Sequence, residues 1–372
     1  MKYIECSCES LQKPVRTVSG IVEKNQSLQV LSNILVECNN KKVTFSTTDL
    51  DIQIKTESEI GLEGVVGSFT ISAQKLGEIL NEHESSDVIQ IEIESDGRAT
   101  LKSPSGLFHL QTLPVRDFPV IKTGKPHASF RLESNMFRHL LACTSFAMAS
   151  RDIRYYLNGV LLEAEGNHIR TVATDTHRLA YYEIELPTLN QEQKVESIIP
   201  RKTVRELLRI LPDDKTEVSI EISDTQIVIT FDEIQFISKL IEGKFPDYTR
   251  VMPSAASNPQ KVFINREDLI RALRRVSILT NEKFHGVRWF FHENHLTLQG
   301  TNSEQEEANQ EFDLEWPWAD LDIGFNITYL LEALNILSNE KICFHFASTQ
   351  KSVLLTMPES LSFKYVIMPM RI

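Results

Sequence analysis

Asp175 and His177 stand two residues apart where an apolar strand pattern, Thr171 to Thr174, runs out. Alternate residues of a strand point the same way, so with Arg178 beside them an Asp and a His could serve acid–base chemistry. The chemistry does not recur with the position. The equivalent strand ends are Asp49 and Asn302, and neither has a histidine two residues on. No nucleophile motif or phosphate loop accompanies the pair. The five cysteines, Cys6, Cys8, Cys38, Cys143 and Cys343, are odd in number and scattered, and Cys6-x-Cys8 lacks the second pair or histidines of a zinc site. The chain therefore reads as a non-enzyme with free thiols, and is expected to carry neither metal nor cofactor.

What positions these residues is a repeat. Phe45-Ser46-Thr47-Thr48-Asp49-Leu50, Thr171-Val172-Ala173-Thr174-Asp175-Thr176 and Leu298-Gln299-Gly300-Thr301-Asn302-Ser303 are three copies of one signature, an apolar strand ending in Thr and then Asp or Asn. Thr48, Thr174 and Thr301 are 126 and then 127 residues apart. A fixed period of this kind reports architecture before chemistry. Two further landmarks keep the step. Amphipathic stretches run from Leu11 to Ser19, Phe137 to Ser145 and Leu269 to Ser277, with Val15, Leu141 and Leu273 at one position and Val18, Thr144 and Val276 three residues on. A strand leading into a second helix is read over Phe69 to Leu80, Ile198 to Leu211 and Ile323 to Leu337.

Strand signals surround the helices. Ser86 to Glu94 alternates apolar and polar, Ser95-Asp96-Gly97 turns, and Ala99 to Lys102 returns; Glu217 to Ile222 and Gln226 to Phe231 repeat the arrangement. Asn39-Asn40, Glu165-Gly166-Asn167 and Glu293-Asn294 are turns at equivalent points, and Pro253 to Pro259 is a longer linker before the third copy. The spacing predicts an α+β protein with antiparallel sheets and two helices in each third, divided at 1–122, 123–253 and 254–372.

At 372 residues, 41% apolar and 24% charged, the chain suits two or three globular domains. It has no apolar run of 18 residues, and Met1-Lys2-Tyr3-Ile4-Glu5 leads straight into a strand pattern, so a cytoplasmic protein without membrane span or signal peptide is expected. The net charge is −12, yet basic residues gather on helix faces: Arg201, Arg205 and Arg209 at i, i+4, i+8 with Lys202 nearby, and Arg271, Arg274 and Arg275 opposite Leu269, Leu273 and Val276. Any one such face is explained by solvation alone. Together, in a chain with acid elsewhere, they suit a surface that holds a polyanion loosely. No sequence-reading nucleic-acid motif or basic tail is present.

At Tyr155-Tyr156-Leu157-Asn158-Gly159, Thr171 to Ala180, Lys244-Phe245-Pro246-Asp247-Tyr248, Ser277 to Phe284 and Val366 to Ile372, the chain resembles the sliding-clamp family of bacterial replication, the beta subunits of DNA polymerase III. The resemblance runs the whole length in register. It implies a DNA-clamp fold of three similar domains, a head-to-tail homodimer closed into a ring, and duplex DNA threaded through it while the clamp tethers a polymerase. Helix geometry gives an independent check. Neighbouring helices about 9 Å apart put six on a circle about 17 Å across, which leaves about 7 Å of clearance after helix thickness. Twelve give about 24 Å, enough for a duplex roughly 20 Å wide. If the two helices of each third line the hole, two chains are enough.

By position, the resemblance implies DNA contacts at Lys24, Arg151, Arg154, Tyr155 and Tyr156, with Arg201, Lys202 and Arg205 lining the hole. It implies a dimer interface of Phe108 and Leu110 against Ile278 and Leu279, with Lys75 facing Glu304, Glu306 and Glu307. It implies a pocket for short linear peptides of the polymerase catalytic subunit, the clamp loader and repair proteins, made of Thr174, His177, Arg178, Leu179, Pro246, Arg250, Val251, Ser352, Val366, Met368, Pro369, Met370 and Arg371. Methionines suit a surface that adapts to several ligands. The chain departs from the family at Asn25, Ser105, Leu107, Thr176 and Gln350. The rival reading is a sequence-independent DNA-binding protein that grips without encircling; it would treat linear and circular DNA alike and show a steep salt slope.

Overall fold

The computed structural model describes residues 1–23, 28–189, 191–253, 257–358 and 360–371. One order of elements appears three times. In the first third it is β1 (Lys2–Ser7), α1 (Cys8–Ser19), β2 (Asn33–Asn39), β3 (Lys42–Thr48), β4 (Ile52–Ser58), β5 (Val66–Ser72), α2 (Ala73–Asn81), β6 (Val88–Ile93), β7 (Ala99–Lys102) and β8 (Leu107–Leu110). The second runs β9 (Ala128–Glu133), α3 (Ser134–Ser145), β10 (Gly159–Gly166), β11 (His168–Thr174), β12 (Arg178–Glu185), β13 (Gln191–Pro200), α4 (Arg201–Ile210), β14 (Glu217–Ile222), β15 (Gln226–Phe231) and β16 (Ile234–Lys239). The third runs β17 (Gln260–Asn265), α5 (Arg266–Ser277), β18 (Gly286–His292), β19 (His295–Thr301), β20 (Glu307–Asp313), β21 (Leu321–Asn326), α6 (Ile327–Ile336), β22 (Lys341–Phe346), β23 (Val353–Met357) and β24 (Ser360–Ile367).

All six expected helices are present. The first helix of each third begins three residues before the expected Leu11, Phe137 and Leu269, and polar caps start two of these: the Ser7 hydroxyl accepts from Ser10 N at 3.3 Å, and Asn265 Oδ1 accepts from Asp268 N at 3.1 Å. Leu11, Val15 and Val18 in α1 are buried, as are Leu269, Leu273 and Val276 in α5, so the periodic stripe is the packed face. The hairpins turn where expected, and for a steric reason. Asn40, Gly166, Glu293 and Asn294 all have positive φ, which Gly and Asn tolerate best.

The chain packs as two compact units, Met1–Asn135 with Arg205–Leu240, and Met136–Val204 with Ile241–Ile372. The first holds a four-stranded antiparallel sheet, β1-β6-β7-β8, and an eight-stranded one, β5-β2-β3-β4-β16-β15-β14-β9. There α1 packs beside α2 over the larger sheet. The second holds β20-β19-β18-β21 and the eight-stranded β13-β10-β11-β12-β24-β23-β22-β17. Its core includes an aromatic cluster in which Trp289 meets Phe325 at 5.4 Å and Phe344 at 5.1 Å. Each eight-stranded sheet is two four-stranded halves from consecutive thirds, joined by β4 on β16 in one case and β12 on β24 in the other. No helix among the described residues is long and apolar enough to cross a membrane.

Candidate partner cleft and nucleic-acid surface

The repeated Thr-Asp signature is a turn that fastens itself. Asp175 Oδ1 accepts from the backbone N–H of His177 at 3.0 Å and Arg178 at 3.1 Å, while the Thr174 hydroxyl donates to Arg178 O at 2.6 Å and accepts from Thr176 N at 3.0 Å. Thr176 sits at φ 76°. In the first third, Asp49 Oδ1 accepts from Asp51 N and Ile52 N at 3.0 and 2.7 Å, the Thr48 hydroxyl bonds Ile52 O at 2.9 Å, and Leu50 has φ 79°. Asn302 does the same work in the third, accepting from Glu304 N and Glu306 N at 3.0 Å each. A short acceptor at this point is what the backbone requires.

The second copy of the turn also seats Arg178. Its side chain is 7% exposed, and every face of the guanidinium is used: Nε meets Asp175 Oδ2 at 3.0 Å, one terminal nitrogen meets Glu332, the other donates to Phe146 O at 2.6 Å, and the plane lies 4.1 Å from the Tyr329 ring centre. Arg178 is thus a buried charge with full compensation.

Beside it is a cleft of about 410 Å³. Leu179 and Val366, opposite each other on β12 and β24, lie in its wall with Thr174 and Arg178; Ser352 and Met368 border it; and a turn over the sheet adds Phe245, Pro246, Asp247, Tyr248, Arg250 and Val251. Leu179, Val366, Phe245 and Tyr248 are buried, whereas Val251 and Met368 are exposed apolar groups at the mouth. Arg250 points outward, held to Asp247 at 2.8 Å. An apolar floor with a few polar groups at the rim suits apolar side chains of an extended ligand. Nine of the thirteen expected pocket residues meet here. Exposed His177 is at the edge, its carbonyl accepting from Met368 N at 2.9 Å. Pro369, Met370 and Arg371 instead border a neighbouring cavity of about 700 Å³ with Gln350. Sequence reasoning left out Phe245, Asp247 and Tyr248, although Pro246 lies among them; two aromatics flanking a proline turn were the available signal.

Of the expected nucleic-acid residues, Lys24 and the departure at Asn25 lie outside the described residues. Arg151, at φ 59°, and Arg154 are exposed on one loop. Asp152 holds the Arg154 guanidinium through two bonds, at 2.9 and 2.8 Å, and this partner pulls the Asp152 carboxyl down to about 2. Next to them Tyr155 is exposed and edge-on to Tyr156 at 5.9 Å, while Ile153 is 96% exposed. Arg201 is half-buried and donates to Met148 O at 2.9 Å, Lys202 is half-buried, and Arg205 is exposed. Arg209, from the same basic flank, is tied to Glu206 and donates to Thr17 O at 2.7 Å.

The expected interface residues fall in α2 and β8 of the first third, and after α5 and around the start of β20 in the third. Lys75 is exposed, Phe108 half-buried and Leu110 buried, with Phe108 edge-on to His83 at 6.0 Å. Following α5, Ile278 is 76% exposed and Leu279 half-buried, and Phe284 is a further exposed apolar group. Glu304, Glu306 and Glu307 are all exposed around the start of β20. Among the described residues no group of His, Cys, Asp and Glu is placed to hold a metal ion.

Three family descriptions match in succession: DNA polymerase III beta subunit N-terminal domain over residues 1–122, central domain over 131–247 and C-terminal domain over 249–371. The beta sliding clamp of Pseudomonas putida is 37% identical over 364 residues, 98% of each chain. The crystal structure of the DNA polymerase III beta subunit of Pseudomonas aeruginosa superposes with a TM-score of 0.94 at 36% identity, covering 100% of both chains. A sliding clamp of Pseudomonas aeruginosa bound to griselimycin superposes at 0.95, again at 36% identity and full coverage.

Proposed function

The chain belongs to the family of DNA polymerase III beta subunits, the beta sliding clamps, and from that premise we propose that this processivity factor works as a head-to-tail homodimer closed around duplex DNA. The observation that carries the dimer is topological. Both joints between consecutive thirds pair the last strand of one hairpin series, β4 or β12, with the closing strand of the next third, β16 or β24. Their counterparts in the repeat are β20 and β8. Each of these ends its four-stranded sheet, with no strand on its outer side among the described residues. An open edge is a template for another strand, and a contact between two different edges is heterologous; with six helices in each chain, two copies make a circle wide enough for a duplex. Three modules, with bounds at 1–122, 123–253 and 254–372, then become six around the ring. Ile278, Leu279, Phe108 and Leu110 supply apolar area at this joint, and Lys75 against Glu304, Glu306 and Glu307 orients it. Replacing Ile278 and Leu279 together with Ala is expected to give monomers in sedimentation at low micromolar concentration; persistence of the dimer contradicts the assignment.

DNA is held mechanically in this reading. Arg151, Arg154, Tyr155, Tyr156, Lys24, Arg201, Lys202 and Arg205 meet phosphates without reading bases. Partners, namely the polymerase catalytic subunit, the clamp loader and other proteins with a clamp-binding peptide, insert apolar side chains into the cleft between the turn at 245–251 and the β12–β24 joint. Griselimycin is taken to occupy the same cleft. The arrangement contains no catalytic step, and the site of action is the bacterial cytoplasm. Val366→Asp places a charge in the cleft floor and is expected to weaken griselimycin binding at least a hundredfold in calorimetry; unchanged affinity contradicts the cleft assignment.

A further inference from the structure

A second cavity, of about 570 Å³, lies beyond Tyr248 on the same face of the same sheet. Strand register places it. Leu179 and Val366 form one row, and the next row on that face is Tyr181, Lys364 and Thr356. Beyond it come Glu163, Arg170 and Glu183, paired across β10, β11 and β12. The surface therefore passes from apolar to ionic, and Tyr248 stands at the divide, lining both cavities.

The charges in the second cavity are nearly all consumed by one another. Glu163 is 1% exposed and takes Arg170 and Lys194 at 2.7 Å each; Arg170 also meets Glu165 at 3.0 Å and Glu183, and Lys194 meets Glu196 at 2.6 Å. Lys364 differs. Its ammonium lies 4.8 Å from the Tyr181 ring centre, and it has no carboxylate partner among the described residues. Apolar lining comes from Met252, Leu361 and Leu354, the last beside Val366 on the neighbouring strand, and next to Leu354 stands His345, which is buried with Nδ1 unbonded among the described residues. A cavity of several hundred cubic ångströms with an apolar wall and one uncompensated charge is the usual form of a small-molecule site. One ammonium without a carboxylate partner matches a single negative charge rather than the several of a nucleotide, and a cation meets only carboxylates that are already paired.

We propose that this cavity binds a small monocarboxylate with a short apolar tail, its carboxylate on Lys364 and its tail along Met252, Leu354 and Leu361, and that its occupancy tightens partner binding in the neighbouring cleft. The second half rests on the cleft being the partner site. A ligand behind Tyr248 restricts the ring to the position that walls the cleft, so the partner meets a pre-organised surface. Coupling of this kind is reciprocal.

Octanoate titrated into the full-length protein tests it. Wild type is expected to bind octanoate, and to bind octylamine at least tenfold more weakly. Lys364→Met is expected to weaken octanoate at least tenfold. Leu361→Asp, on an exposed side chain where folding is undisturbed, is expected to do the same by repulsion. Saturating octanoate is expected to tighten griselimycin about fivefold in wild type, the lower end of common coupling strengths, and not in Leu361→Asp. Octanoate affinity unchanged in both variants overturns the site, and a griselimycin shift below twofold overturns the coupling. Failure of griselimycin to bind at all, with octanoate bound normally, overturns the cleft reading and the coupling with it while the monocarboxylate site stands.

Discussion

Asp175 shows how a residue that could do acid–base chemistry is used up by the backbone. Its carboxylate closes the turn and neutralises buried Arg178: Oδ1 accepts two backbone bonds and Oδ2 is held by the guanidinium. Asp175→Ala removes both roles and is expected to cost about 3 kcal/mol, since one partner of a buried charge is lost. Asp175→Asn keeps the acceptor and is expected to cost less than half of that; equal losses in urea denaturation contradict the account. Sequence alone showed that the position recurs as Asp49 and Asn302, which was enough to argue against catalysis. It did not show the positive φ at Leu50 and Thr176 that makes the acceptor necessary. His345 gives a second test. Burial holds its imidazole below the ordinary value, with Lys261 adding to the effect. The unfolded chain therefore takes up a proton that the folded one refuses. The stability from this group is complete above the unfolded value of about 6.5 and is lost as pH falls below it towards the folded value. The denaturation midpoint of wild type is expected to drop between pH 7.5 and 5.5 by more than that of His345→Gln, and parallel profiles contradict it.

Helices and hairpins were legible because their signals are local. Periodicity of 3.6 marked the packed stripe of each helix, and Ala99–Lys102, Glu217–Ile222 and Gln226–Phe231 have the bounds that alternation predicted. The joining of half-sheets was not legible. β4 meets β16 some 180 residues on, and no residue in either strand announces a distant partner. The cleft was half legible for the same reason: Leu179 and Val366 become neighbours only through the β12–β24 joint, and Tyr248 reaches them only because its turn crosses that sheet. Packing between elements is tight where the repeat substitutes a small residue. Gly300 stands where Thr47 and Ala173 stand in the other copies, and a Cβ there would lie 2.7 Å from Val276 Cγ1 and 3.0 Å from Val276 O. Gly300→Ala is expected to push α5 off β19 at a cost of about 1–3 kcal/mol. Because α5 leads directly into Ile278 and Leu279, the same variant is expected to weaken the dimer, which sedimentation across a dilution series would read; a variant as stable and as dimeric as wild type contradicts this packing.

Charge and topology act together at the scale of the whole molecule. A net charge of −12 is a poor basis for gripping a polyanion, and several basic residues on the helix flanks are engaged within the protein, Arg209 by Glu206 and α1, Arg271 by Asp268 and Arg275 by Gln310. Few phosphate contacts mean a shallow dependence on salt. In the proposed ring, retention comes instead from enclosure by two copies joined through their open sheet edges. The decisive measurement loads the protein onto nicked circular duplex with its clamp loader, isolates the complex and cuts the circle once. Enclosure predicts that the protein stays on the intact circle at moderate salt and is lost within minutes of linearisation. Equal retention on the circle and on the cut DNA, falling steeply with salt in both, would contradict it.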